Sequence, residues 1–174
     1  MVIVRCVNNY GPYQYPEKVI PLFVTNALDD EPLPLYGTGE NTREWLAVQD
    51  HCRAIDLLAT SQGVEGEVFN VGSGVELSVQ DLAERILTRL GKPHSLARLV
   101  DDRPGHVRRI ALNWTKIRRR FGWEPEVGIE EGLAATIDWY RENEHWWRPL
   151  KSGEYRRYYE EQYAKRLRAG EDKR

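Results

Sequence analysis

A short run of β-branched residues, Val2-Ile3-Val4 with Arg5-Cys6-Val7 behind it, sets the first constraint on this 174-residue chain. Such a run reads as a strand buried in a parallel sheet, not as an edge strand. One other stretch, Val68-Phe69-Asn70-Val71, reads the same way. A strand buried on both faces needs neighbours. The chain is therefore expected to begin in the middle of a larger α/β fold.

The run passes into Asn8-Asn9-Tyr10-Gly11-Pro12-Tyr13-Gln14-Tyr15-Pro16-Glu17-Lys18, a loop leading to a helix. Pro16 is placed as the first helical residue, where a missing N–H costs nothing. Val19, Ile20, Phe23, Val24, Ala27 and Leu28 follow at helical spacing. Lys18 then falls in the first turn, where the helix dipole disfavours a cation. An anion held at the helix start, most commonly phosphate, makes that lysine reasonable. The alternative is an exposed lysine that tolerates the small penalty. Two further segments favour the anion: Leu35-Tyr36-Gly37-Thr38-Gly39 through Arg43-Glu44-Trp45, and Asp101-Asp102-Arg103-Pro104-Gly105-His106. Each sets an arginine in a glycine- or proline-bearing loop, and the guanidinium fork matches phosphate in bidentate fashion. Lys18, Arg43 and Arg103 together would clamp a pyrophosphate.

Elsewhere the pattern is architectural. Gln49–Thr60 reads as a helix with Val48, Cys52, Ile55, Leu58 and Ala59 on its inner stripe. Ser78 and Asp81 form a capping box opening the clearest helix, which Gly91 ends. The Gly72-Ser73-Gly74 turn lacks a full GxGxxG, so no dinucleotide fingerprint is read there. Asn113 caps a short helix stopped by Gly122, and its Arg118-Arg119-Arg120 run reads as a solvated face. Ile129, Leu133, Thr136, Ile137 and Tyr140 mark another helix. The stretch from Ser152 to Arg168 reads as a charged surface helix or tail.

Composition excludes several classes. A formal net charge of −2 steers the chain toward neither nucleic acid nor an anionic membrane. No apolar run approaches a membrane span. Cys6 and Cys52 have no CxxC spacing and read as small buried residues in a reducing compartment, so a cytoplasmic location is expected. The four histidines do not stand at ligand spacing, and no metal site is expected.

The Asn8–Lys18 stretch resembles the C-terminal half of the dTDP-glucose 4,6-dehydratases, a branch of the extended short-chain dehydrogenase/reductases. So do Tyr36-Gly37-Thr38-Gly39 with Arg43-Glu44-Trp45, Asp50-His51, Phe69-Asn70-Val71-Gly72, Asp102-Arg103-Pro104-Gly105-His106, and Trp139-Tyr140 with Trp146-Trp147. The resemblance implies an α/β fold: the helix-rich nucleotide-sugar-binding half of such an enzyme, with one or two strands of an incomplete Rossmann sheet. It implies substrate contacts at Asn8 (phosphates or sugar), at Lys18 and Val19 (helix start, near the nucleotide), and at Pro34 and Tyr36 (base wall). It also implies contacts at Arg43 and Arg103 (pyrophosphate), with His106 beside them, and at Tyr155 closing over the sugar. The family asparagine after Gly72 has no clear counterpart.

The family converts dTDP-glucose to dTDP-4-keto-6-deoxyglucose with NAD, using a Tyr-x-x-x-Lys pair and an Asp-Glu pair. Tyr15-Pro16-Glu17-Lys18 places its lysine one residue too early for that pair. The chain is thus expected to carry no catalytic residue, to bind no NAD alone and to be inactive alone. Its expected partners are a dTDP-sugar and either an N-terminal Rossmann half or a second copy in a homodimer. Residues 1–8 and 64–72 are expected to belong to the Rossmann sheet, 9–63 and 73–150 to the substrate domain, and 151–174 to a C-terminal helix or tail. Two other readings stand beside this one: a stand-alone nucleotide-sugar-binding or scaffold protein, and part of a UDP-sugar epimerase or decarboxylase.

Overall fold

The structure, a computed structural model, describes residues 1–164, 166 and 167, without the side chains of Glu154, Tyr155 and Ala164. The chain forms β1 (Ile3–Cys6), β2 (Asn8–Tyr10), α1 (Val19–Leu28), β3 (Leu33–Tyr36), β4 (Thr42–Ala47), α2 (Val48–Thr60) and β5 (Val68–Val71). It continues through β6 (Glu76–Ser78), α3 (Val79–Leu90), β7 (Ala97–Val100), β8 (Arg109–Ile110), α4 (Thr115–Phe121), α5 (Ile129–Glu142), α6 (Glu144–Leu150) and α7 (Glu154–Tyr159). The architecture is α/β, and the chain divides into two units.

The first unit comprises residues 1–11, 42–77 and 109–135. Here β1 pairs in parallel with β5, Ile3 opposite Val68 and Cys6 opposite Val71. β2 pairs in parallel with β4, which also pairs with β6 and β8. Val7, Leu46, Ala54, Leu58, Phe69, Val71, Ile117 and Trp123 close over a shared core. Three expectations are corrected. β1 is not buried on both faces: it has one strand partner among the described residues, and Ile3 is 42% exposed. The inner face of α2 is Asp50, Ala54 and Leu58, whereas Cys52, Ile55 and Ala59 face outward. Both cysteines are exposed, contrary to the buried reading. The period was right and the phase was wrong, because a buried aspartate occupies a place that composition assigns to an apolar residue.

The second unit comprises residues 12–41, 78–108 and 136–174. Its centre is α1, buried from Ile20 to Ala27 on every side, packed on α3 and β3. A helix enclosed all round must satisfy its polar side chains internally. Asn26 does so by donating to the Pro32 carbonyl (2.8 Å) and the Tyr159 hydroxyl (3.0 Å). α1 starts at Val19, not at Pro16: a separate turn precedes it, with the Lys18 N–H on the Tyr15 carbonyl at 3.0 Å. α3 has its expected capping box, and Gly91 ends it at φ 64°. The cap of α4 lies one residue later than expected, at Trp114, while the Asn113 side chain still accepts from the Thr115 N–H (2.9 Å). Trp146 and Trp147 lie on a helix that the sequence reading missed, α6, where the Trp147 indole donates to the Tyr140 carbonyl (2.7 Å).

Candidate functional site

The second unit carries a cluster built by one strand pair. β3 and β7 run parallel with Tyr36 opposite Val100, so the loops leaving their ends start side by side. The Gly37 N–H donates to the Val100 carbonyl at 2.9 Å. Gly37 has φ 60°, and a Cβ there would come within 3.0 Å of the Asp102 carboxylate, so glycine is required on both counts. Asp102 meets His106 Nδ1 at 2.7 Å and accepts the Arg103 N–H at 2.8 Å. The His106 bond first, and the Arg103 amide second, hold its carboxyl below the usual carboxylate range. The His106 side chain is 7% exposed and stands edge-on to Tyr36, with ring centroids 5.9 Å apart. The Arg103 guanidinium lies 5.7 Å from the Tyr36 ring centroid, a cation–π contact. Arg103 forms no ion pair with a described carboxylate.

Tyr36, Arg103 and His106 are therefore brought together. Pro34 lies two residues back on β3, buried opposite Arg98. Lys18 immediately precedes α1, its side chain 61% exposed and its ammonium 3.3 Å from the Glu17 carboxylate; Val19 opens the helix, half-buried. Burial raises the pKa of the Tyr158 hydroxyl, the Glu17 charge raises it further, and the Arg103 charge opposes them. Tyr158 thus lies within electrostatic reach of both the loop before α1 and the Arg103 loop. Tyr155, expected to close over the site, has a side chain outside the described residues. Two residues that the sequence reading missed reach Tyr36 instead: Tyr163, with ring centroids 5.9 Å apart, and Arg166, its guanidinium 5.1 Å from the ring centroid. The alternating aromatic and basic residues of the tail were the available signal.

The first unit holds the remaining residues. Asn8 stands opposite Trp45 in the β2–β4 register. Arg43 is not on a loop, as expected, but on β4, 8% exposed, with Nη1 donating to the Thr42 carbonyl (2.7 Å). The Asn9 amide donates to Cys6 Sγ (3.6 Å) and lies 2.7 Å from His51 Nδ1. With the amide donating, the imidazole is neutral and carries its proton on Nε2. Burial lowers the His51 pKa in the same sense. The sequence reading did not connect these three residues, because His51 stands 42 positions from Asn9. In the turn after β5, the Ser73 and Gly74 N–H groups donate to Glu44 Oε1 at 2.7 and 2.6 Å. Those amides serve an internal carboxylate. Among the described residues no helix is long and apolar enough to cross a membrane.

The family model for GDP-mannose 4,6 dehydratase matches residues 1–136. The chain belongs to the GDP-mannose 4,6 dehydratase family. Within the relatives of this family it is 53% identical over 152 residues to a dTDP-glucose 4,6-dehydratase of Streptomyces niveus, covering 87% of this chain and 45% of that protein. A solved dTDP-glucose 4,6-dehydratase from Streptomyces venezuelae, with NAD bound, superposes with a TM-score of 0.84 at 52% identity, covering 86% of this chain and 46% of that one. A UDP-glucose 4-epimerase from Thermotoga maritima, with UDP-glucose, gives a TM-score of 0.74 at 35% identity over 81% of this chain and 46% of that one. The chain spans under half the length of these family relatives.

Proposed function

We propose that this chain is the nucleotide-sugar-binding half of a dTDP-glucose 4,6-dehydratase and that its Tyr36–Arg103–His106 cluster takes the nucleoside diphosphate. The observation that carries the reading is the Arg103 guanidinium, set against an aromatic ring on a loop pinned by Asp102, with no ion pair to a carboxylate among the described residues. Such a group is pre-organised for a phosphate oxygen pair. Lys18, Val19 and Pro34 extend the same site in the second unit; Asn8 and Arg43, which the family resemblance also assigns to the substrate, belong to the first unit. The higher identity to dehydratases than to the epimerase favours the thymidine branch.

In this reading β1 and β5 are strands of a Rossmann sheet, the substrate domain spans 9–63 and 73–150, and 151–174 is its tail. NAD, which the S. venezuelae relative binds, supplies hydride transfer in the complete enzyme. The chain's own residues bind and orient the sugar nucleotide, and alone the chain is inactive. A complementary Rossmann half, or a second copy of the chain, is its partner. The setting is cytoplasmic, in keeping with two exposed cysteines that form no disulfide.

Calorimetric titration with dTDP and with UDP tests this reading. Binding of dTDP in preference to UDP is expected. Arg103→Ala should lose about 1.5–3 kcal/mol, roughly tenfold or more in affinity. Preference for UDP would move the chain to the epimerase branch. Absence of binding to either would refute an autonomous substrate site.

A further inference from the structure

Arg103 is not the only cation on the Tyr36 ring. The Arg166 guanidinium lies 5.1 Å from the ring centroid and Arg103 lies 5.7 Å from it, so the two groups are at most about 11 Å apart. Arg166 Nη1 donates to the backbone carbonyl of Asp101, at 3.4 Å, on the loop that carries Arg103. Neither guanidinium forms an ion pair with a described carboxylate. Of the acids near them, Asp102 is bonded to His106 and also feels the Arg103 charge, and Glu17 pairs with Lys18. Two like charges brought to one ring repel each other, and cation–π contact returns only a modest part of that cost at an exposed site. A dianionic group between them reverses the sign of the interaction. Each planar fork can then engage one phosphate in bidentate fashion.

We propose that Arg166 is a second anion-binding residue of this site, delivered by the C-terminal segment, and that Arg103 and Arg166 together grip the two phosphates of a diphosphate. The proposal rests on the reading that the Arg103 cluster takes a nucleoside diphosphate. It adds a residue that follows Tyr163 on the tail, where Tyr163 packs on Tyr36 with ring centroids 5.9 Å apart. Tyr163 and Arg166 thereby become part of the binding site, and ligand should hold Arg166 in place.

The test is a titration of the full chain with inorganic pyrophosphate and with dTDP, comparing the unaltered chain, Arg103→Ala, Arg166→Ala and Arg166→Lys. Limited trypsin digestion of the tail, with and without pyrophosphate, runs in parallel. Arg166→Ala is expected to weaken pyrophosphate and dTDP about tenfold. Arg166→Lys should recover part of that loss, and pyrophosphate should protect the tail of the unaltered chain more than that of Arg166→Ala. Full affinity in Arg166→Ala with a loss in Arg103→Ala would overturn the role of Arg166 and leave the binding site standing. A tail cleaved faster in Arg166→Ala even without ligand would show that Arg166 anchors the segment by its Asp101 contact, which also overturns the proposal. No binding by the unaltered chain would remove both the proposal and the reading beneath it.

Discussion

Glu44 is a carboxylate with 1% of its surface exposed, between Arg43 and Trp45 on β4. Its Oε1 accepts the Ser73 and Gly74 N–H groups at 2.7 and 2.6 Å, and its Oε2 accepts the Leu112 N–H at 2.8 Å. A Cβ on Gly72 would collide with this same carboxylate, which is why the Phe69-Asn70-Val71-Gly72 run ends in glycine. The sequence showed Glu44 within a family motif but not its burial, since a glutamate beside an arginine is read as exposed by default. Its partners are backbone amides, which leave no residue-type signature. Glu44→Leu strands three amides, each costing about 1–3 kcal/mol when left unpaired, so a loss of roughly 3–5 kcal/mol is expected. Denaturant unfolding measures it, and a loss under about 1 kcal/mol would mean that water replaces the carboxylate. His51 gives a pH dependence of definite sign. Burial holds its folded-state pKa below the ordinary value near 6.5. Its contribution is complete above that value and declines as pH falls through the interval down to the folded pKa, because the unfolded chain then binds the proton more readily. Melting curves across that window should drop for the unaltered chain and flatten in His51→Gln. Stability that rises on acidification, and does so equally in both, would contradict the half-buried neutral imidazole.

At the scale of elements, α3 was legible because its signals are local: Ser78 and Asp81 close a capping box and Gly91 adopts the left-handed end that glycine favours. The start of α1 was not, because contacts distant in sequence hold the loop before it. Tyr13 stands at φ 62°, with its ring 4.6 Å from Trp139 and 5.3 Å from Trp146, centroid to centroid. The Tyr140 hydroxyl donates to the Gln14 carbonyl at 2.5 Å, and burial pushes its pKa well up. These residues latch the loop onto α5 and α6 and place Lys18 ahead of α1. The sequence showed the aromatic pairs as a family resemblance but not what they grip. Tyr140→Phe should cost about 0.5–1.5 kcal/mol and raise amide exchange across Tyr13–Lys18 while leaving α3 unchanged. Tyr13→Ala keeps the left-handed backbone without the ring, whereas Tyr13→Gly is relieved of that backbone cost. Glycine is therefore expected to be the more stable of the two by about 1 kcal/mol. Equal stability of the two would show that the stacking, and not the backbone, sets the loop.

For the molecule as a whole, the sequence disclosed the class and the parallel pairing, since β-branched runs separated by amphipathic helices leave few alternatives. It did not disclose how much apolar surface the first unit leaves uncovered. There β1 pairs with β5 on one side only among the described residues, and Ile3 is 42% exposed. On α2 in the same unit, Ile55 is 45% exposed between Cys52 and Ala59, both also exposed. A strand edge offers unpaired backbone groups to a second strand, and an apolar helix face adds the area that makes such pairing adhesive. Arg5 in the middle of β1 is the one charge opposing it on that strand. The chain alone is therefore expected to self-associate. Its molar mass by light scattering should rise with concentration, under reducing conditions so that Cys6 and Cys52 do not cross-link the copies. Ile3→Lys with Ile55→Lys should shift the distribution toward monomer without lowering the melting temperature, because both side chains already face water. A complementary Rossmann half that occupies the β1 edge should abolish the association in the unaltered chain. A sharp monomer independent of concentration would show that β1 and α2 are satisfied as they stand, and would remove the physical reason for expecting such a partner.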